Sequence, residues 1–376
     1  MGQLKKITLK KSPFSKFTRG QAEKKLNQYK ITAGSEVGSK NNYFYSELCS
    51  PAKYAHLKGC TQEISKQSCL AGLKVHISTT QHNYLLDHVF GKDCLVPATM
   101  IMELFAESAT WFLEKLCKNN ENNLKLTCFE ELDIERAIAL EPGDTIDIEI
   151  LLMDLVCNET DARLKIDIVS KRKNFKGKVV GERLNAKCIV DFAAIIENQE
   201  ENFVPNGNFD YYEIPKELYY KNFFHPLGPS FNSATGRFAV SADKDIIVGE
   251  YNCLDKEKGF IRGQNSEFLI SPLGYDACVQ NTVFLSVLNT FIGKLPVGCR
   301  KFQVFKKHLS TGNYRVVVRR KAIDEETMTA DFYSLDSEGK TVLKAEGFVV
   351  RNSSFQNYRD KDNFERILNE YRKEKF

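Results

Sequence analysis

Hydrophobic and polar residues alternate along several segments of the chain. In residues 144–153, DTIDIEILLM, the apolar side chains of Ile146, Ile148 and Ile150 alternate with polar ones, and residues 163–169 repeat the pattern. A period of two places the apolar side chains on one face of a strand, which is typical of an antiparallel sheet that covers a core on one side. The same reasoning predicts strands at residues 73–78, 314–319, 328–335 and 341–350, with the turn DSEG at 336–339 joining the last two as a hairpin.

Two further segments are apolar on almost every side and predict buried helices. The first follows Pro97 and runs over residues 98–118, and the second follows Pro272 and runs over residues 273–292. Proline suits the first turn of a helix because the N–H that it lacks would be unbonded there in any case. Because strands follow each helix, the chain repeats one unit, a buried helix with an antiparallel sheet.

This repetition predicts an α+β fold with two long buried helices, each wrapped by an antiparallel β-sheet, and with the two sheets joined edge to edge. We place the first unit at residues 69–200 and the second at residues 209–355, with a polar linker at residues 201–208. Residues 1–68 are expected to form a basic N-terminal extension, since the start of the chain is rich in Lys and Arg. Residues 356–376 are expected to form a C-terminal tail with a short helix over 362–374.

The composition is that of an ordinary globular protein. The 376 residues are 42% hydrophobic and 27% charged, and the net charge is +4. This small charge argues against a nucleic-acid partner, which requires a concentrated basic face. The sequence has neither an apolar run long enough to span a membrane nor the apolar core of a secretory signal, so a cytoplasmic location is expected. Its eleven cysteines lack the spacing of a zinc site, which predicts free thiols and no metal.

A histidine lies in the loop before the first predicted helix. Residues 86–97 read LDHVFGKDCLVP, so His88 lies close to a helix N-terminus, where exposed N–H groups stabilise negative charge. Histidine titrates near neutral pH and serves as a general base. The alternative interpretation, which is the more frequent one for a lone histidine, is a polar residue with a structural role.

The second predicted helix carries an acid one turn before an amide. Asp276 and Gln280 are four positions apart, which places both side chains on one face of the helix. One interpretation of Asp276 is an aspartate near the helix start that the helix dipole favours. The other is a carboxyl group in an apolar pocket, whose raised pKa allows it to donate a proton.

Together these segments resemble the dehydratase domains of modular polyketide synthases and animal-type fatty acid synthases, which are double hotdog proteins. The resemblance covers residues 70–352 and keeps the family's order of motifs. The matching stretches are the histidine-to-proline spacing of HxxxGxxxxP at 88–97, GPxF at 228–231, DxxxQ at 276–280, LPV at 295–297 and KAEGF at 344–348.

The chain departs from the family pattern in two places. Gly91 lies only three residues after His88, and Lys92 occupies the position of the family's glycine, whose backbone is implicated in holding the thioester oxygen. Leu227 replaces the tyrosine of the family's YGPxF motif. The candidates to replace that tyrosine are His225, Tyr219 and Tyr220.

The resemblance implies removal of water from a 3-hydroxyacyl thioester on an acyl carrier protein, in polyketide or fatty acid biosynthesis. His88 is expected to take the proton next to the carbonyl, and Asp276 is expected to protonate the departing hydroxyl. Backbone N–H groups from Val96 to Thr99 are expected to stabilise the enolate oxygen. The residues expected to bind or orient the substrate are Gln280, Gly91, Val96, Pro97, Gly228, Pro229 and Phe231.

The resemblance implies no cofactor beyond the phosphopantetheine arm that carries the substrate. The expected partner is an acyl carrier protein or a synthase module, and a homodimer is left open. Two alternatives stay open as well. One is a cyclase or isomerase with the same histidine and aspartate, and the other is a non-catalytic double hotdog that binds acyl chains or scaffolds a synthase.

Overall fold

A computed structural model shows two long apolar helices packed on one large antiparallel sheet. It describes residues 57, 61–62, 69–116, 124–173, 179–195, 208–224, 227–253, 257–262, 268–306, 312–352, 357–358 and 360–374. The helices are α1 (Ala98–Leu116), α2 (Lys216–Phe223), α3 (Pro272–Thr290) and α4 (Lys361–Glu370). The same described residues include three short 3-10 helices, at Asn83–Asp87, Pro229–Phe231 and Glu257–Gly259.

Nineteen strands are present in these residues. Those that precede residue 200 are β1 (Thr61–Gln62), β2 (Ala71–Ser78), β3 (Val89–Phe90), β4 (Asp93–Leu95), β5 (Lys125–Ile134), β6 (Ala139–Leu140), β7 (Thr145–Cys157), β8 (Asp161–Lys173) and β9 (Val179–Ala193). The others are β10 (Phe209–Glu213), β11 (Ala234–Ser241), β12 (Ile246–Cys253), β13 (Ile292–Gly293), β14 (Leu295–Val304), β15 (Gly312–Ile323), β16 (Thr327–Leu335), β17 (Thr341–Arg351), β18 (Asn357–Tyr358) and β19 (Arg372–Lys373).

Fourteen of these strands form one sheet. Its strand order is β1-β2-β7-β8-β9-β5-β14-β17-β16-β15-β12-β11-β10-β19. Strands from the first half of the chain therefore occupy one side, and strands from the second half occupy the other. The pairing of β5 with β14 joins them, with Phe129 opposite Phe302 and Asp133 opposite Gly298. Every pairing within this sheet is antiparallel, as the period of two predicts.

Each long helix packs against strands of its own half. Helix α1 contacts β5, β8 and β9, whereas α3 contacts β12, β15, β16 and β17, and the two helices also contact each other. The start of α3 is capped by Ser271, whose hydroxyl accepts a hydrogen bond from the Gly274 N–H at 3.0 Å, and Pro272 follows the cap. Almost all of α3 is buried, which agrees with its apolar sequence.

The coarse prediction, a mixed fold with a large antiparallel sheet and two buried helices, is confirmed. The helices at Ala98–Leu116 and Pro272–Thr290 begin within one residue of their predicted starts. The final helix ends earlier than predicted, at Glu370. The sequence-based prediction missed α2 and several strands, which are β5, β9, β10, β11, β12 and β14.

The predicted extension and linker fall mainly outside the described residues. Of residues 1–68, only 57 and 61–62 are described, and of residues 201–208 only 208 is. The division into units therefore stays a prediction. Among the residues that the structure covers, no helix is both long and apolar enough to cross a membrane.

Candidate active site

His88 lies in the segment between a 3-10 helix and strand β3. Its ring is half-buried, and Nδ1 lies 2.8 Å from the backbone carbonyl oxygen of Leu95. A carbonyl oxygen can only accept, so Nδ1 carries the hydrogen and Nε2 of the neutral ring is left with a free lone pair. Burial lowers the pKa of His88 to about 4, and the bond to Leu95 opposes this shift. The imidazole is therefore neutral at pH 7 and able to act as a base.

A tight hairpin returns the chain from His88 to Leu95. In this hairpin, Val89 pairs with Cys94 and Phe90 pairs with Asp93, which leaves Gly91 at the exposed tip. Gly91 has a φ of +65°, a left-handed conformation that favours glycine. The left-handed turn at the tip of the hairpin therefore explains why a glycine occupies this position. The neighbouring Lys92 side chain is exposed and pairs with Glu141 at 2.5 Å.

The backbone at the start of α1 offers fewer free donors than the sequence suggested. The Val96 N–H donates to the Ile138 carbonyl at 2.9 Å, so this amide already has a partner. Pro97 has no N–H, and its carbonyl accepts from the first helical turn. Of the backbone N–H groups from Val96 to Thr99 that were expected to bind the enolate oxygen, those of Ala98 and Thr99 therefore remain as candidates. The Thr99 hydroxyl is buried and has no hydrogen-bond partner among the described residues.

The 227–231 turn is bound to the histidine segment. The Gly228 N–H donates to the Asp87 carbonyl at 2.8 Å, and the Ser230 N–H donates to Asp87 Oδ2 at 3.0 Å. The Ser230 hydroxyl also donates to this carboxylate oxygen. A Cβ on Gly228 would lie 2.1 Å from Asp87 Oδ1, so only glycine permits this close approach. Leu227 pairs with His88 in an isolated bridge, and Pro229 begins the short helix that leads to Phe231.

Phe231 contacts both predicted catalytic regions. Its ring lies against His88 with a centroid distance of 5.4 Å, and it is fully buried. Its carbonyl oxygen accepts a hydrogen bond from Gln280 Nε2 at 2.8 Å. One residue therefore links the histidine segment to the polar face of α3.

Asp276 lies on that face and is almost completely buried. Gln280 Nε2 donates to Asp276 Oδ2 at 2.5 Å, as the four-residue spacing predicts. Burial raises the pKa of Asp276 to about 7, although the hydrogen bond from Gln280 opposes the rise. The carboxyl group is therefore protonated over much of the pH range below 7, which suits a proton donor.

Tyr220 joins this network from helix α2. Its hydroxyl donates to Gln280 Oε1 at 2.9 Å and accepts from the Ala234 N–H at 2.8 Å. Two of the three candidates to replace the family's tyrosine are described, Tyr219 and Tyr220, and of these two it is Tyr220 whose hydroxyl binds Gln280. The Tyr219 ring instead packs among the aromatic side chains of Phe223, Phe238 and Phe284. His225 lies outside the described residues.

A second buried carboxylate connects the two long helices. Glu103 of α1 is fully buried, and its Oε1 and Oε2 accept from the N–H groups of Leu269 and Ile270 at 2.5 and 2.9 Å. Those residues directly precede the Ser271 cap of α3. The sequence analysis missed Glu103, Asp87 and Ser230, because their partners are backbone or side-chain groups that are distant in sequence.

One group in the described part of the chain has the composition of a metal site. Cys128, Glu130 and Asp191 lie close enough to share an ion. However, Arg163 pairs with Glu130 at 2.7 Å and with Asp191 at 3.0 Å. The two carboxylates already have a cationic partner, so we interpret the group as a structural ion-pair cluster.

The comparison with known proteins rests on structure, since neither a family model nor a curated protein matches the sequence. The chain is similar to a trans-AT polyketide synthase dehydratase domain from Brevibacillus brevis, with a TM-score of 0.62, 15% identity, and coverage of 80% of this chain and 100% of that one. It has the fold of polyketide synthase dehydratase domains. GphF dehydratase 1 gives a TM-score of 0.60 at 15% identity, with 80% and 100% coverage. The CurJ dehydratase domain of the curacin synthase gives 0.59 at 13%, with 81% and 98% coverage.

Proposed function

We propose that this protein removes water from a 3-hydroxyacyl thioester carried on an acyl carrier protein, in polyketide or fatty acid biosynthesis. The observation that carries the proposal is the link through Phe231, whose ring packs on His88 and whose carbonyl oxygen binds Gln280, the hydrogen-bond partner of Asp276. Burial lowers the pKa of His88 to about 4 and raises that of Asp276 to about 7. Between these values the base is unprotonated and the acid is protonated, which is the state that elimination of water requires.

The two residues have complementary roles in this reaction. His88 Nε2 takes the proton from the carbon next to the thioester carbonyl, and that electron pair becomes the new carbon–carbon double bond. The bond to the 3-hydroxyl breaks, and the Asp276 proton joins the departing oxygen to form water. Each general acid or base contributes roughly 10²–10⁴-fold to the rate. The reaction needs no metal or redox cofactor.

The remaining site residues hold and orient these groups. Gln280 orients the Asp276 carboxyl, and Phe231 packs on His88 and accepts from Gln280. Gly228 and Pro229 shape the turn that supports Phe231. The amides of Ala98 and Thr99, with the Thr99 hydroxyl, are the proposed donors to the enolate oxygen. Gly91, Val96 and Pro97, which lie between His88 and α1, stay proposed substrate-binding residues.

We also infer that the fold is a double hotdog. Two observations support this inference. Each long buried helix contacts strands of its own half, and in the described residues the pairing of β5 with β14 joins the two halves of the large sheet. The structurally similar proteins are polyketide synthase dehydratase domains. A synthase module or free acyl carrier protein is the proposed partner, and the homodimer stays a prediction.

Isomerisation is the second candidate, because a variant of the similar GphF domain is described as isomerase-inactive. Histidine matters in another of these domains, since a histidine-to-phenylalanine variant of the CurJ dehydratase is inactive.

The test incubates the purified protein with 3-hydroxyacyl thioesters of several chain lengths on a carrier protein. Mass spectrometry measures loss of water, and NMR locates the double bond.

A conjugated 2-enoyl product that disappears in His88→Ala and Asp276→Asn supports dehydration. A product with a shifted double bond supports the isomerase. Tight acyl binding without any turnover contradicts both and supports the acyl-binding or scaffold alternative.

A further inference from the structure

The Tyr220 hydroxyl has a defined hydrogen-bond direction. Its oxygen lies 2.8 Å from the Ala234 nitrogen, and a backbone N–H can only donate, so the hydroxyl accepts there. Its own hydrogen remains for a different acceptor. Gln280 Oε1 at 2.9 Å is closer than the Phe231 carbonyl oxygen at 3.4 Å, and it receives this hydrogen.

The Gln280 amide therefore has one favourable orientation. Its Nε2 lies 2.8 Å from the Phe231 carbonyl oxygen, which is only an acceptor. If the amide were rotated so that its oxygen and nitrogen changed places, the amide oxygen would lie 2.8 Å from the Phe231 carbonyl oxygen with no hydrogen between them. The Tyr220 hydroxyl would also lose its acceptor. The donor from Tyr220 and the acceptor on Phe231 thus favour the same orientation of the amide.

This orientation determines where the Asp276 proton lies. The second Nε2 hydrogen of Gln280 points at Asp276 Oδ2, 2.5 Å away. A proton on Oδ2 along the same line would collide with that hydrogen. In the described part of the chain Oδ1 has no hydrogen bond, so the proton of the neutral carboxyl group resides on Oδ1.

We infer that Tyr220 is a positioning residue that acts through Gln280 to place the acid proton on Oδ1 of Asp276. The inference deepens the proposed function and rests on it, since the proton on Oδ1 is the one that passes to the departing hydroxyl. Tyr220 itself does not transfer a proton. It holds the amide so that Gln280 donates to the carboxyl group and never accepts from it.

The surroundings of Asp276 allow this hydrogen-bond effect to be measured. In the part of the chain that the structure describes, the titratable groups that interact with it are Tyr220 from α2 and Tyr275 and Cys278 from α3, and His88 lies beyond Phe231. Burial raises the pKa of both tyrosines and of Cys278, and it lowers that of His88. All four are uncharged at pH 7. A changed titration of Asp276 in a Tyr220 variant therefore reports the hydrogen bond and not a lost charge.

The experiment compares Tyr220→Phe with Tyr219→Phe, a buried tyrosine next to it on the same helix. Infrared difference spectra, with Asp276→Asn as the reference, give the titration midpoint of the Asp276 carboxyl group without any substrate. The pH dependence of kcat is measured in parallel. In Tyr220→Phe the Gln280 amide is held less firmly and donates more weakly, so the midpoint moves to higher pH. The kcat value falls about tenfold with little change in KM, because the lost interaction acts on the reacting group.

Tyr219→Phe should leave both the midpoint and kcat close to wild type. An unchanged midpoint and kcat in a folded Tyr220→Phe overturn the inference. If the wild-type protein dehydrates no thioester but the midpoint still moves, the proposed function fails and the positioning of Asp276 by Tyr220 is supported. Should Tyr220→Phe not fold, Gln280→Met removes the amide donor through which Tyr220 acts on Asp276, and an unshifted midpoint there overturns the inference.

Discussion

Helix α1 buries the carboxyl groups of Glu103 and Glu107, and helix α3 buries that of Asp276. Glu103 and Asp276 both bind groups of the other segments or of their own helix, yet the two carboxyl groups differ in their hydrogen-bonded oxygens. Glu103 on α1 has both oxygens occupied by the backbone N–H groups of Leu269 and Ile270. Asp276 on α3 has one oxygen occupied, by Gln280. Burial raises the pKa of both carboxyl groups above the ordinary value.

The comparison shows that a raised pKa alone does not identify a catalytic acid. Glu103 is expected to be structural, because a carboxyl group whose two oxygens accept from fixed backbone groups has no oxygen left for a substrate. Within the described residues Oδ1 of Asp276 has no hydrogen-bond partner, and Asp276 lies on the residue network that reaches His88 through Phe231. The available carboxyl oxygen and the nearby base His88 therefore distinguish the proposed catalytic role of Asp276 from the structural role of Glu103.

The strongest test of this difference replaces the proposed catalytic pair. Asp276→Asn and His88→Ala should each lower kcat for dehydration by roughly 10²–10⁴-fold, because each removes a general acid or base. The double variant should lose little more, since the two groups act on one step. Steady-state kinetics measures the loss, and thermal unfolding verifies that both variants fold. Near-normal turnover of Asp276→Asn would remove this residue from the mechanism.

The pH dependence of the wild-type enzyme should follow the same pair. Activity requires neutral His88, so it should rise as pH increases through about 4. Activity also requires protonated Asp276, so it should fall as pH increases through about 7. The profile of kcat/KM, which reflects the groups of the free enzyme, is therefore expected to be bell-shaped with its maximum between these values. An activity that continues to rise above pH 8 contradicts Asp276 as the acid.

Glu103→Gln should lower the stability of the protein more than its activity, which is the opposite of the result expected for Asp276→Asn. The amide keeps one acceptor oxygen but brings its NH₂ group against a backbone N–H, so the free energy of unfolding should fall by about 1–3 kcal/mol. The value of kcat should change much less than in Asp276→Asn. Chemical denaturation measures the first quantity, and Glu114→Gln, on the same helix but partly exposed, is the control. A loss of kcat as large as that of Asp276→Asn, without a loss of stability, would reverse the assignment of the two carboxyl groups.

The smallest effect is expected at the contact between Asp87 and Ser230. Ser230→Ala loses the hydroxyl bond to Asp87 but keeps the bond from its backbone N–H. The expected cost in stability is about 0.5–1.5 kcal/mol, the usual contribution of one hydrogen bond. Activity should fall slightly, because this contact holds the turn against the histidine segment. Ser241→Ala, in the hairpin of β11 and β12, is the control that should cost stability without a change in kcat.

Sequence reasoning succeeded where local patterns determine structure. Pro97 and Pro272 marked the helix starts, and the continuous apolar faces of both helices required burial. The alternation around Ile148 predicted an antiparallel strand. The spacing of Asp276 and Gln280 predicted that both side chains lie on one face of the helix, and the structure shows a hydrogen bond between them there.

The missed strands have irregular patterns. In β5 the alternation is interrupted between Glu130 and Asp133, where the register shifts and Glu131 takes a φ of +54°. A bulge moves the following side chains to the other face, so the period of two is lost from the sequence. In β14 a similar shift lies between Pro296 and Gly298. These two strands form the junction of the halves, which is therefore the part of the sheet that periodicity describes least well.

The sequence by itself determined the two apolar helices, the regular strands and the presence of a histidine and an aspartate in suggestive positions. Only the tertiary structure decided what those residues contact. The bond of His88 to the Leu95 carbonyl, the link of Phe231 to Gln280, and the approach of Tyr220 all involve groups brought together by packing. Several of these partners are backbone carbonyls, which every residue possesses and no sequence pattern marks. Burial, which sets both pKa values, is likewise a property of the assembled core and not of any single segment.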